Sequence, residues 1–217
     1  SEALSIVANG LPWKHGDSVV SLVEEFPSNR YVWESLDEYG VEVRFASIHA
    51  ENPEQALIDV CDRTTRLIAV SSVQYSNGLR LRLAQLGEFC KQRGIWLCVD
   101  AIQHLGALQF DVQAWNVDFL AADGHKWMLG PEGLGLFYCR PELRGLLRLR
   151  QYGWHMVADA GDFETRRWRP AETAVRFECG SPSMLGIHAL QASIGLIEEV
   201  GIAEIERKIL DNSLYMQ

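Results

Sequence analysis

Two short stretches hold the residues with the most evident chemistry: Val99-Asp100-Ala101-Ile102-Gln103 and Asp123-Gly124-His125-Lys126-Trp127. Each follows an apolar run of the kind that forms a buried strand, Ile95–Val99 and Phe119–Ala122. Residues directly after such strands sit at the carboxyl edge of a sheet, where open α/β sheets place their ligands. A carboxylate at that edge is costly unless it meets a cation or several donors. An Asp there can equally cap a helix. Lys126 stands among bulky and aromatic residues, where partial desolvation would lower its pKa and free the amine for imine chemistry. A surface Lys that snorkels its ammonium into water is the other reading. Taken together, the two stretches favour the chemical one. Lys126 supplies an amine that condenses with a carbonyl cofactor, and Asp100 keeps a pyridine nitrogen protonated so that the ring acts as an electron sink.

Such residues need a sheet to place them. Ser18–Val23, Val41–Ala46, Arg66–Val73, Ile95–Val99, Phe119–Ala122 and Leu134–Cys139 read as strands. Asn29–Tyr39 (closed by Gly40), Pro53–Cys61, Leu81–Arg93 and Gly186–Val200 read as helices. The chain opens as if a helix were already under way, and Ser76-Asn77-Gly78 reads as a turn. Near-continuous apolar strands between amphipathic helices predict a three-layer α/β/α fold with a mostly parallel sheet. Dinucleotide-binding domains share that class. No G-x-G-x-x-G follows a strand and no G-x-x-x-x-G-K-[ST] occurs, so both nucleotide fingerprints fail.

The net charge of −9 argues against nucleic-acid and acidic-membrane partners, which need Lys and Arg to neutralise phosphates. No run approaches the ~18 apolar residues of a membrane span. The five cysteines form no C-x-x-C pair, so no metal is expected, and reduced thiols in a cytoplasmic protein are. Arg144–Arg150 and Arg166–Arg169 are locally basic and read as solvated faces.

The D-x-x-Q stretch, Asp111-Val112, Val117-Asp118-Phe119, Gly124-His125-Lys126 and Gly130-Pro131-Glu132-Gly133-Leu134-Gly135 together resemble class V aminotransferases. This is the fold-type I family of pyridoxal 5′-phosphate (PLP) enzymes that includes cysteine desulfurases, selenocysteine lyases, kynureninase and isopenicillin N epimerase. The resemblance spans nearly the whole chain. It implies that Lys126 forms the Schiff base with PLP and later moves the substrate Cα proton. It implies further that Asp100 pairs with the ring nitrogen, Gln103 bonds the phenolic oxygen, and His125 contacts the phosphate. Asp123 stands where many relatives carry a phosphate-binding Ser or Thr. An anionic Asp would repel a phosphate, and a backbone amide is its other candidate partner. Ser1-Glu2-Ala3 resembles the end of the phosphate loop at a helix start, where backbone N–H groups favour an anion. Ser181, in Glu178-Cys179-Gly180-Ser181-Pro182, corresponds to a hydroxyl that reaches the neighbouring subunit's phosphate in relatives, implying a homodimer with a shared active site; a simple turn residue is the alternative.

Departures from the family bear on the reaction. Phe26, in Glu25-Phe26-Pro27-Ser28-Asn29, stands where desulfurases stack a His on the ring. Phe can sandwich the ring but cannot shuttle a proton. Gln74 reads either as facing the ring or as a structural amide, and Tyr152-Gly153-Trp154-His155 as the substrate entrance or a packed aromatic turn. Residues 1–200 are expected to form the large domain, lacking its first strand and helix. Residues 201–217 are expected to lead toward a C-terminal small domain, which in relatives supplies the substrate-carboxylate Arg and the desulfurase Cys. The expected function is a PLP enzyme acting on an amino acid by transamination, C–S cleavage, elimination or epimerisation. The alternative is a truncated, weakly active or inactive domain that binds PLP or only dimerises. Fold alone does not choose among them.

Overall fold

The computed structural model describes residues 1–164 and 167–215. Its centre is a six-stranded sheet in the order β2-β1-β3-β4-β5-β6. The strands are β1 (Ser18–Leu22), β2 (Glu42–Ala46), β3 (Thr65–Ser71), β4 (Trp96–Asp100), β5 (Phe119–Asp123) and β6 (Gly135–Cys139). The first five run parallel, and β6 returns antiparallel to β5. The mostly parallel sheet expected from the apolar runs is therefore present.

Successive side chains of a strand point to opposite faces, and here they enter two cores. Val20, Ile68, Val70, Leu97, Val99 and Leu120 pack on one face with Leu57 of α3 (Pro53–Asp59), Leu86 of α4 (Leu83–Arg93) and Leu190 of α5 (Met184–Val200). Val19, Leu67, Ala69, Cys98, Phe119 and Ala121 pack on the other with Leu4 and Val7 of α1 (Glu2–Gly10) and Trp33 of α2 (Tyr31–Glu34). Each fully buried side chain of this size contributes about 1.5–3 kcal/mol. Both faces being covered explains why β1 and β3 read as mostly apolar runs, in which Ser18, Ser21, Thr65 and Ser71 are buried as well.

The expected helix over Asn29–Tyr39 is not continuous. It breaks into 3₁₀ turns at Pro27–Asn29 and Ser35–Tyr39 around the four residues of α2. Two side chains compete with the helical ladder here. Asn29 Oδ1 accepts from the buried Trp33 Nε1 at 2.9 Å, and Ser35 Oγ donates to Val32 O at 2.9 Å. Gly40, at φ 70°, closes the segment as expected.

After α5, the helix α6 (Ile202–Tyr215) is fastened by Glu206, which accepts from Arg80 Nη1 at 2.9 Å and Gln109 Nε2 at 2.8 Å. Within the basic stretch Arg166–Arg169, Arg166 lies outside the described residues, as do the last two residues of the chain. Among the described residues, no helix is long and apolar enough to cross a membrane.

Candidate active site

Strand order reverses between β1 and β3, which makes a crevice at their carboxyl ends. A cavity of about 1350 Å³ opens there and extends past the ends of β4 and β5. Nine of the ten residues singled out from the sequence line it: Ser1, Glu2, Phe26, Asp100, Gln103, Asp123, His125, Lys126 and Ser181.

Asp100 closes β4 and is only 7% exposed. Its Oδ1 accepts from Ile102 N at 3.0 Å, and among the described residues no protein group bonds Oδ2. Burial pushes its carboxyl up to about 6, and the nearby Glu25 carboxylate adds to the rise. The Asp thus caps its own turn, as the sequence allowed, and still presents an unbonded oxygen at a cavity wall. A cationic ring nitrogen is the partner such a group lacks.

The tenth residue, Gln74, does not line the cavity. It is 1% exposed, and its Nε2 donates to Glu25 Oε1 at 3.1 Å. It is the structural amide of the two readings, part of a network the sequence did not reveal. Glu25, 4% exposed, also accepts from Ser71 N at 2.7 Å, from Ser71 Oγ and from Asn29 Nδ2 at 3.1 Å. This buried carboxylate ties the end of β1 to the end of β3 directly behind Phe26. Burial nevertheless raises its pKa. No local pattern announces this burial, since Glu is almost never fully buried without partners and its partners here come from distant segments.

Lys126 lies in a tight turn after β5. Leu129 N bonds Lys126 O at 3.0 Å, and Gly130 N bonds Gly124 O at 2.8 Å. Gly106, at φ +90°, lets the backbone of Trp127 come so near that a Cβ would sit 2.4 Å from Trp127 O. The turn is therefore positioned by backbone packing. Lys126 itself is exposed, and so is Trp127 at 44%. The expected desolvation of the lysine is corrected accordingly: its aromatic neighbour turns to solvent, and the wide cavity leaves the amine in contact with water.

His125 Nδ1 lies 3.1 Å from Asp123 Oδ1, so the Asp123 carboxylate faces an imidazole, and among the described residues neither of these two atoms has a hydrogen-bond partner. Phe26 packs edge-on against Tyr75, a cavity residue unmarked by any sequence motif, with ring centroids 5.2 Å apart. Ser1 Oγ bonds Ser28 Oγ at 2.8 Å, and the first helical bond of α1 runs from Ser5 N to Ser1 O. The amides of residues 2–4 consequently have no acceptor within the helix and suit an anion. Tyr152-Gly153-Trp154-His155 does not line the cavity, and its Tyr152 and Trp154 are 67% and 48% exposed. His155 N bonds Cys179 O at 3.4 Å and its Nδ1 lies 3.7 Å from Glu178 Oε2, so the turn buttresses the loop that carries Ser181.

A buried acid with an open oxygen, a lysine, a helix start and a hydroxyl-bearing loop on one cavity fit a pyridine ring that carries an aldehyde and a phosphate. Comparison with known proteins agrees. A probable cysteine desulfurase of Methanothermobacter thermautotrophicus is 34% identical over 210 residues, covering 95% of this chain and 52% of its own. The apo structure of a cysteine desulfurase from Thermococcus onnurineus NA1 superposes with a TM-score of 0.87 at 29% identity, covering 99% of this chain and 55% of its own. A C-DES variant with glycine covalently linked to its PLP cofactor gives 0.87 at 25% identity, covering 94% and 55%. The chain spans about half the length of the relatives it matches. The sequence profile described as Aminotransferase class-V matches residues 1–217. On that match and on the geometry at the ends of β4 and β5, the chain belongs to the class V aminotransferase family.

Proposed function

We propose that this chain is the cofactor-holding part of a PLP enzyme that acts on an amino acid, with Lys126 as the covalent anchor. The observation that carries the reading is Asp100: a buried carboxyl with one unbonded oxygen, on the same cavity as Lys126. When bound, PLP supplies an electron sink for a carbanion at the substrate Cα.

Each residue then has a task. Asp100 is held ionised by a ring N–H and keeps that proton in place. Gln103 donates to the phenolic oxygen. The free amides of α1 and His125 take the phosphate, with Asp123 orienting His125 across their 3.1 Å contact. Lys126 would hold the cofactor through its amine and, when that amine is free, would be placed to take the proton from the substrate Cα. Phe26 covers one ring face, which favours a reaction that needs no acid or base on that face. The relatives named as cysteine desulfurases support cysteine or a similar sulfur-bearing amino acid as substrate.

Residues 1–200 act as the large domain, and α6 leads toward a small one. Ser181 serves the phosphate of a second copy, so the working unit is a homodimer. Five free thiols suit the cytoplasm.

Lys126 is one of four lysines in the chain and lines the cavity. Reconstitution with PLP followed by borohydride reduction and peptide mass mapping will place the label on Lys126. Label on Lys14, Lys91 or Lys208, or undiminished labelling in Lys126→Ala, refutes the proposal.

A further inference from the structure

A second, smaller pocket of about 90 Å³ lies beside the large cavity. Three arginines line it: Arg148, Arg150 and Arg176. Two of them come from the loop after β6 and the third from the 3₁₀ turn Ala174–Phe177, so the fold brings them together from separate segments. Glu2, Ile6 and Phe177 line both spaces and form the wall between them.

None of the three arginines is ion-paired among the described residues, although Glu2 also lines the pocket and leaves three guanidinium groups against one carboxylate. Among the described residues, no carboxylate lies within 4 Å of any of the three guanidinium groups. Arg176 Nε is buried without any hydrogen-bond partner. Arg150 Nε donates to Asn9 O at 2.9 Å, which fixes that guanidinium at the pocket while leaving its terminal nitrogens available. A buried unsatisfied donor is uncommon and calls for a partner. Like charges gathered at one concave spot, in a chain of net charge −9, call for an anion. The basic stretch Arg144–Arg150 is thus not wholly the solvated face its sequence suggests.

From this geometry we infer that Arg148, Arg150 and Arg176 form a binding site for one small oxyanion. The planar guanidinium forks match phosphate, sulfate or carboxylate oxygens. The volume holds a single such group and excludes a drug-sized ligand, which needs several hundred Å³. Two sources share this chemistry: a free inorganic anion, and the anionic tail of a molecule seated in the large cavity. The inference does not rest on the PLP reading, and its test reads different residues.

The experiment is calorimetric titration of inorganic phosphate into the chain, both without PLP and after reconstitution with PLP, which fills the cofactor's own phosphate place. Saturable binding is expected. Arg148→Gln/Arg150→Gln, which alters two exposed side chains, should weaken it by about tenfold or more, the loss of one charge-assisted hydrogen bond. Arg176→Gln should do the same, with circular dichroism confirming the fold of each variant. Lys91→Gln, which removes an exposed cation of α4 that lines neither space, should leave phosphate affinity unchanged. L-Glutamate competing where L-glutamine does not would assign the anion to the tail of a cavity ligand, and absence of competition to a free anion. Either result keeps the site. Unsaturable binding in the parent protein overturns the inference. So does affinity that survives the double arginine substitution or falls equally in Lys91→Gln.

Discussion

Asp100→Asn separates what the site needs from what the fold prefers. Burial lifts the Asp100 carboxyl from 3.8 to about 6. At about 1.36 kcal/mol per pKa unit, that difference is a cost of roughly 3 kcal/mol for keeping Asp100 ionised in the folded protein. The folded pKa lies above the unfolded one, so the folded state binds the extra proton between them. Stability is fully present below about pH 4, falls as pH rises to about 6, and stays reduced above it. Asparagine is nearly isosteric, carries no charge, and can still accept from Ile102 N through Oδ1. In urea titrations without PLP, Asp100→Asn should be more stable than the parent by up to about 3 kcal/mol at pH 8 and equal to it near pH 4. The buried Asp118, whose pKa is also raised, is present in both proteins and cancels in the difference, whereas Glu25 is coupled to Asp100, so loss of the Asp100 charge relieves it as well and adds to the gain above pH 6. With PLP present the order should reverse in function, because the ring nitrogen has lost its carboxylate. An Asn variant that is no more stable at pH 8, or whose advantage is the same at both pH values, would refute the desolvation argument.

Other perturbations test the parts that hold the site. Gly106→Ala combines a positive φ with a Cβ 2.4 Å from Trp127 O, and should cost about 2–4 kcal/mol in urea unfolding while weakening PLP retention. Glu25→Gln leaves one acceptor oxygen for the donors on Ser71, Asn29 and Gln74, and should destabilise by about 2–4 kcal/mol in the same assay. Burial lifts the Cys61 thiol to about 11 and Cys139 to about 12, and raises Cys90 and Cys98 as well. Native alkylation at pH 8 should therefore strike Cys179 first, and bound PLP should slow it, since Cys179 lines the cavity; fast modification of any other thiol would contradict this.

How far the sequence revealed this site depends on which kind of physics carried each residue. Strands β1, β3, β4 and β5 were legible because a sheet covered on both faces needs mostly apolar residues along each strand. The direction of β6 was not, since a five-residue apolar strand has the same composition whether it runs parallel or antiparallel to its neighbour. The helix expected at Asn29–Tyr39 failed for a related reason: spacing reports which side chains are buried, and Trp33 is, but it does not report that Asn29 and Ser35 divert the backbone bonds. Asp100 and Lys126 were legible because each follows a strand that could be seen, and position after a strand fixes location at the sheet edge. Glu25 and Gln74 were illegible as a pair. Their roles come from tertiary hydrogen bonds between the end of β1 and the segment after β3, and no local spacing encodes those.

That hidden pair alters what Asp100 means. Glu25 is itself buried, and its charge helps to raise the Asp100 pKa. Two carboxyl groups thus lie close under one cavity floor, and ionising both there is unfavourable without a cation. The four donors on Glu25 satisfy one of them from within the protein. Asp100 has a single backbone donor and, among the described residues, no side-chain cation within ion-pair distance. The uneven supply of partners assigns the roles: Glu25 pins the strand ends, and Asp100 is left to be completed by something that enters the cavity. A ligand carrying a ring N–H would restore the ionised form of Asp100, so its binding should stabilise the fold most above pH 6, where the unliganded protein bears the full desolvation cost.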